Sequence, residues 1–208
     1  MKLPEPPILL KRCRALAALD LILSPEWDYR YYSFKSKWTP GEMMASMRNG
    51  CGDEWWMVFS DHGWTAFKGL DHESPAASEG GEDLSNALQS ACPANIQSFA
   101  QEPAFRWDET GFCSFHLNDA KGWQRANDLT PFADLETGEE ELLRLLAGDA
   151  SDYVRFAEEY YELELPLDAV QHVFDLGAIT PDLVSRLNPV TTWDEISEEL
   201  HEEIGYPR

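Results

Sequence analysis

The sequence predicts an α+β fold: an N-terminal helix, an antiparallel β-meander with helical insertions, and a helical C-terminal layer. Three observations carry this. The chain opens on an apolar stripe at helical spacing, residues 27–70 are crowded with alternating aromatics, and beyond residue 137 the apolar period is helical throughout. In the first element, residues 5–24, Leu9, Leu10, Cys13, Leu16 and Ala17 recur every three or four residues, while Lys11, Arg12 and Arg14 take the other side. Ser24-Pro25 ends it, because a residue before proline is pushed out of the helical region. The run from Trp27 to Phe34 puts Trp27, Tyr29 and Tyr31 on one face and predicts a strand. Thr39-Pro40-Gly41 breaks the chain, and residues 42–49, with Met43, Met44 and Met47, predict a short turn of helix. Asn49-Gly50 and Cys51-Gly52 mark a tight reversal. Strands are expected at 54–60 and 63–70, joined at Asp61-His62-Gly63. The segment 27–70 would then hold three antiparallel strands with a tight connection at 60–63.

Residues 74–81 read as an exposed loop and residues 82–91 and 93–101 as short helices parted by Pro93. Strand character returns at 105–107, 111–117 and 123–125. Thr137-x-x-Glu140 and Thr192-x-x-Glu195 have the form of capping boxes, and Thr180-Pro181 reads as an N-cap followed by proline at the first helical position. Gly177 fits a helix C-cap. The stripes Tyr153/Phe156/Tyr160/Leu163 and Trp193/Ile196/Leu200/Ile204 are expected to pack inward against the sheet. No repeat or flexible linker appears, and Asp128–Asp134 is the plausible boundary. The expectation is one α+β domain over 1–208, mixed sheet and helix at 1–130 and acidic and helical at 131–208.

With 208 residues, 43% of them hydrophobic and 12% aromatic, the chain can bury a sizeable core and is not of disordered composition. The apolar run 8–23 is broken by Lys11, Arg12, Arg14 and Asp20, so it does not read as a membrane span. Prolines at 4, 6 and 7 stand where a secretory leader would carry its charged start. Four cysteines without a C-x-x-C pair suggest a reduced, cytoplasmic protein. Sixteen basic residues against 38 acidic ones, net −22, disfavour nucleic acid and anionic membranes as partners. The charge is uneven: residues 1–70 carry net +1, residues 71–130 net −7 and residues 131–208 net −16. A solvated helical surface explains the acidic third, and so does a face that docks a cationic partner.

The chain has no G-x-x-x-x-G-K-[ST], no G-x-G-x-x-G and no G-x-S-x-G. Its five histidines form no H-x-x-x-H, and Cys113-x-x-His116 in a strand points its two side chains to opposite faces. No cofactor and no metal are expected. Two segments stand out. Asp71-His72-Glu73 closes a strand with oxygen and nitrogen groups able to move a proton or bind a metal, or simply to cap the turn. Residues 38–53 gather Trp38, Glu42, Arg48, Asn49 and Asp53 beside methionines, as a recognition loop or a cover over the sheet edge.

The motifs Asp28-Tyr-Arg-Tyr-Tyr-Ser-Phe34, Ser36-x-Trp38, Glu42-Met-Met-Ala-Ser-Met-Arg-Asn-Gly50, Gly52-Asp53 and Lys68-Gly69-x-Asp-His-Glu-Ser74 resemble an uncharacterised family of bacterial cytoplasmic proteins. The resemblance covers about residues 8–75 and implies a bacterial, cytoplasmic protein of one defined fold. In its small acidic α+β form the chain also resembles, in general shape, the SMI1/KNR4-like immunity and regulator proteins. The leading expectation is a non-enzymatic, acidic protein-binding module of immunity or regulatory type that neutralises a basic protein. Trp38, Glu42, Arg48, Asn49, Asp53, Glu198, Glu199, Glu202 and Glu203 are its candidate contacts. Glu139–Glu141, Glu158 and Glu159 are expected to extend the glutamates into one continuous negative surface. The competing expectation is a small metal-assisted or hydrolase-like enzyme centred on Asp71, His72 and Glu73. Homo-oligomerisation through exposed aromatics stays open.

Overall fold

The computed structural model describes residues 3–126 and 129–208, so Asp128, at the expected boundary, lies outside the described residues. The chain begins with α1 (Pro6–Leu23), whose prolines occupy the first turn, where a missing N–H costs nothing. A single 3-10 turn, Trp27–Tyr29, leads to β1 (Tyr32–Thr39), β2 (Glu42–Arg48), β3 (Glu54–Ser60) and β4 (Trp64–Leu70). Then come α2 (Gly81–Ser90), α3 (Gln97–Ala100), β5 (Phe112–Leu117) and the two-residue β6 (Gln124–Arg125). The chain closes with α4 (Glu139–Leu142), α5 (Arg144–Ala147), α6 (Ala150–Tyr160), α7 (Leu167–Phe174), α8 (Pro181–Leu187) and α9 (Trp193–Glu198). The class is α+β, with the strands in chain order across the sheet. Among the described residues, no helix is long and apolar enough to cross a membrane.

Two compact units divide the chain: residues 1–38 with 144–208, and residues 39–143. The divisions fall after residues 38 and 143, not near residue 130. The N-terminal helix thus joins the C-terminal helices.

In the 39–143 unit the register fixes two sheet faces. Met43, Ala45 and Met47 stand opposite Phe59, Met57 and Trp55, and Met57 and Phe59 stand opposite Phe67 and Thr65. On this face Trp123 meets Phe67, and the Trp55 indole N–H donates to the Leu142 carbonyl at 3.2 Å. The other face carries Glu54, Trp56, Lys68, Cys113 and Phe115. It is covered by the 81–107 segment, where Phe105 stacks on Trp56 and Phe99 meets Trp64. A wholly buried aromatic such as Phe67 stabilises the core by about 2–3 kcal/mol. Lys68 has no exposed surface and donates to the carbonyls of Arg106 (3.2 Å) and Glu109 (2.9 Å) and to the Glu54 carboxylate (3.5 Å). It ties the covering segment to the sheet. Arg106 takes a left-handed conformation (φ 46°) in that tied segment and pairs with Glu109.

Several expectations are corrected here. Residues 42–48 are a strand, not a helical turn, so 27–70 holds four strands instead of three. The Pro40-Gly41 turn, with Gly41 at φ 80°, starts a hairpin in which Met44, Ala45 and Met47 are buried, and pairing overrides the helical preference of Met and Ala. The first strand begins at Tyr32, not Trp27, and leaves Trp27 and Tyr29 exposed in the 3-10 turn. Residues 103–105 are a 3-10 turn, Pro103–Phe105, not a strand. Residues 76–80 wind into one wide helical turn, not a plain loop. The 54–60 strand, the 60–63 connection and the helices near 82–91 and 93–101 stand as expected.

In the other unit α1 is buried on every side from Ala15 to Leu23, so its amphipathic pattern describes only the first half. The stripe Tyr153/Phe156 packs within this unit: the Tyr153 hydroxyl donates to Asp20 of α1 at 2.6 Å, and Tyr31 meets Phe156 and Tyr160 edge-on. Thr192 and Glu195 form the expected capping box, and the Thr180 side chain accepts from Leu183 N. The Thr137 box is absent because α4 starts one residue late, with Gly138 before it. Asp149 and Asp152 form an unforeseen box on α6. Leu176, not Gly177, takes the left-handed turn (φ 58°) after α7.

Candidate functional site

The β2–β3 connection is built on Asn49. Its side-chain oxygen accepts from the backbone N–H of Cys51 (2.8 Å) and Asp53 (3.1 Å), and its amide nitrogen donates to Asp53 Oδ2 at 2.6 Å. That turn aims the other Asp53 oxygen at the end of β4. There Oδ1 accepts from His72 Nδ1 (2.6 Å) and from the His72 backbone N–H (3.0 Å). A carboxylate only accepts, so the Nδ1 proton is fixed and Nε2 is left to exchange protons with solvent. The hydrogen bond to Asp53 holds the imidazole above its ordinary pKa, helped by the charges of Glu73 and Asp71.

Asp53, Asp71 and His72 each offer a ligand atom, all within 4.8 Å of one another, a spacing that a divalent cation could bridge. Asp71 presses on Gly138, where a Cβ would fall 2.0 Å from Oδ2, so only glycine fits there. Glu73 is exposed, and its backbone N–H donates to Asp71 Oδ1 at 3.0 Å as part of the turn. Asn49 and Asp53, expected in a recognition loop, therefore join Asp71 and His72, while Glu73 contributes main chain.

The remaining members of the 38–53 set do not form one loop. Glu42 and Arg48 sit at opposite ends of β2, about 20 Å apart at strand rise. Glu42 accepts from the Thr39 hydroxyl at 2.9 Å, Arg48 pairs in register with Glu54, and Trp38 ends the other unit's share of β1.

The four glutamates at 198–203 fall on two faces. Residues Glu199–Glu203 form a wide helical turn, with Ile204 N donating to Glu199 O at 3.0 Å, and Gly205 (φ 64°) closes it. Glu199 and Glu203 line a cavity of about 350 Å³ with Trp27, Arg30 and Lys35. Arg30, nearly buried, grips Glu199 through both guanidinium ends, one at 2.9 Å, and donates to Ser24 O at 3.0 Å. Glu198 and Glu202 instead line a shallow groove of about 520 Å³ with Trp193, His201 and Arg208. Lys37 and Arg208 approach Glu202 at 3.3 and 3.9 Å. The i,i+4 spacing of Glu198 with Glu202 and of Glu199 with Glu203 was visible in the sequence. The part of Arg208 in the groove was not, because it follows the turn at Gly205.

The expected continuous negative surface is broken further at Glu139. This residue is buried, paired with Arg125 at 2.6 Å, and held above the ordinary carboxylate range by loss of solvent. By folded unit, the one containing residues 1–38 and 144–208 has 11 basic and 19 acidic residues, net −8. The 39–143 unit has 5 basic and 19 acidic residues, net −14. Cations of the first 38 residues meet acids of the last third, as Arg30 meets Glu199 and Lys37 meets Glu202.

The chain matches no protein-family model, no curated protein and no solved structure, and both sites are read from their own geometry and charge.

Proposed function

We propose that the protein is a non-enzymatic binding module that docks a basic protein, as an immunity or regulatory protein would. The observation that supports this is the groove in which Glu198 and Glu202 stand beside Trp193. A lysine or arginine side chain lays its stem along the indole and its charged head between the two carboxylates. The chain's own Arg208 already approaches Glu202 there. The test is a calorimetric titration with a lysine- and arginine-rich peptide. Wild-type protein binds it, and Glu198→Gln with Glu202→Gln weakens binding by about tenfold or more, as expected for two lost charge contacts. Equal binding by the variant overturns the reading.

A second reading, favoured by the convergence of Asp53, Asp71 and His72, is metal-assisted or hydrolytic chemistry at that cluster. It requires a hydrolytic activity in the purified protein that His72→Gln abolishes while the fold persists. An unchanged rate in that variant removes it.

A further inference from the structure

Cys92 and Cys113 are brought together by the packing of the 81–107 segment on the sheet. Cys113 lies on β5, directly opposite Lys68 in the register. Cys92 lies in the turn just after α2, followed by the exposed Ala94 and Asn95. Their sulfurs stand 3.9 Å apart, although 21 positions separate them in the chain. Both are otherwise buried. A disulfide would need the two sulfurs to close by about 2 Å from that contact.

We infer that Cys92 is a peroxide-reactive thiol and Cys113 its resolving partner, so that a hydroperoxide converts the pair to a disulfide within the folded protein. The roles follow from the surroundings. Cys92 is nearer the surface, in a turn a small oxidant reaches by local opening, and Cys113 is locked in a central strand. Either thiol can donate to the other sulfur across this contact, and that hydrogen bond favours whichever of the two becomes the thiolate. The Lys68 ammonium beside Cys113 favours the second thiolate when its turn comes.

In the first step the Cys92 thiolate attacks one oxygen of the hydroperoxide. The O–O bond breaks, an alcohol or water leaves with the thiol proton, and Cys92 becomes a sulfenic acid. In the second step Cys113 attacks that sulfur, the S–S bond forms, the S–O bond breaks, and the oxygen leaves as water with the Cys113 proton. Two thiols lose two electrons and the two peroxide oxygens gain them. The bond would close a 21-residue span and fasten the covering segment to the sheet next to Lys68, where cross-linking restricts the unfolded chain.

The exposed Cys51 is the competing thiol, so the experiment uses the full chain carrying Cys51→Ser, treated folded with hydrogen peroxide and mapped by non-reducing peptide mass spectrometry. The expected product is a Cys92–Cys113 disulfide, with a melting temperature raised by a few degrees and restored by dithiothreitol. With Cys113→Ser added, dimedone should trap the sulfenic acid at Cys92. Should that second variant misfold, the mapping of the Cys51→Ser protein decides alone. The inference is overturned if both thiols survive peroxide that fully oxidises an exposed cysteine, if the disulfide forms only in urea, or if Cys92 proceeds to sulfinic acid without cross-linking.

Discussion

At Asp20 a carboxylate without solvent access accepts from the Tyr153 hydroxyl and the Tyr32 backbone N–H, both at 2.6 Å. Burial raises its pKa from 3.8 to about 6, against the lowering effect of those hydrogen bonds. A carboxyl whose folded value exceeds its unfolded one binds its proton more tightly when folded. Its contribution to stability is therefore largest below pH 3.8 and shrinks as pH rises through 6. Removing the Tyr153 hydroxyl leaves a charged carboxylate short of a donor at neutral pH, but a protonated one has less need of it. Tyr153→Phe should lower the unfolding free energy by about 1–3 kcal/mol well above pH 6 and by clearly less near pH 5. Urea titrations at the two pH values measure this, and an equal loss at both contradicts the role given to Asp20. The sequence offered Asp20 only as a charge interrupting an apolar run. Its burial depends on α1 being enclosed by helices more than a hundred residues away, which local periodicity does not report.

Among elements, β2 and its neighbours show what was legible and what was not. The 54–60 strand and the turn at Gly63 declare themselves because aromatic alternation and a glycine-bearing connection are local signals. Residues 42–48 do not, since Met and Ala suit a helix until a strand on each side claims their backbone. The candidate cluster was half visible for the same reason. Asp71 and His72 are neighbours in sequence, but Asp53 reaches them only through the Asn49 turn and the β3–β4 register. Lys68 stands in the sequence only as part of the Lys68-Gly69-x-Asp-His-Glu-Ser74 motif, one cation among aromatics, yet it ties the sheet to its cover. Lys68→Met should cost about 3–5 kcal/mol, because Glu54 and two carbonyls lose a buried cationic donor together. Hydrogen exchange should quicken at residues 106–110 more than at the distant hairpin turn near residue 41. Uniform quickening, or a loss under 1 kcal/mol on the urea scale, would contradict the tie.

Across the molecule, the segment-by-segment charge count located acidity in the last third, and folding redistributes it. The basic first 38 residues share a unit with the acidic helices and neutralise part of them, as at Arg30–Glu199, so the 39–143 unit carries the greater net charge. Linear charge patterning cannot show this, because it does not say which segments fold together. Under the proposed reading, a basic partner docks in the groove at Trp193, Glu198 and Glu202. The central claim is tested most directly by titrating the lysine- and arginine-rich peptide into wild type and the Glu198→Gln, Glu202→Gln variant at low and at high salt. Binding by wild type that weakens steeply with salt, and is nearly lost in the variant even at low salt, is the predicted result. Binding that ignores salt, or that the variant retains in full, contradicts the account.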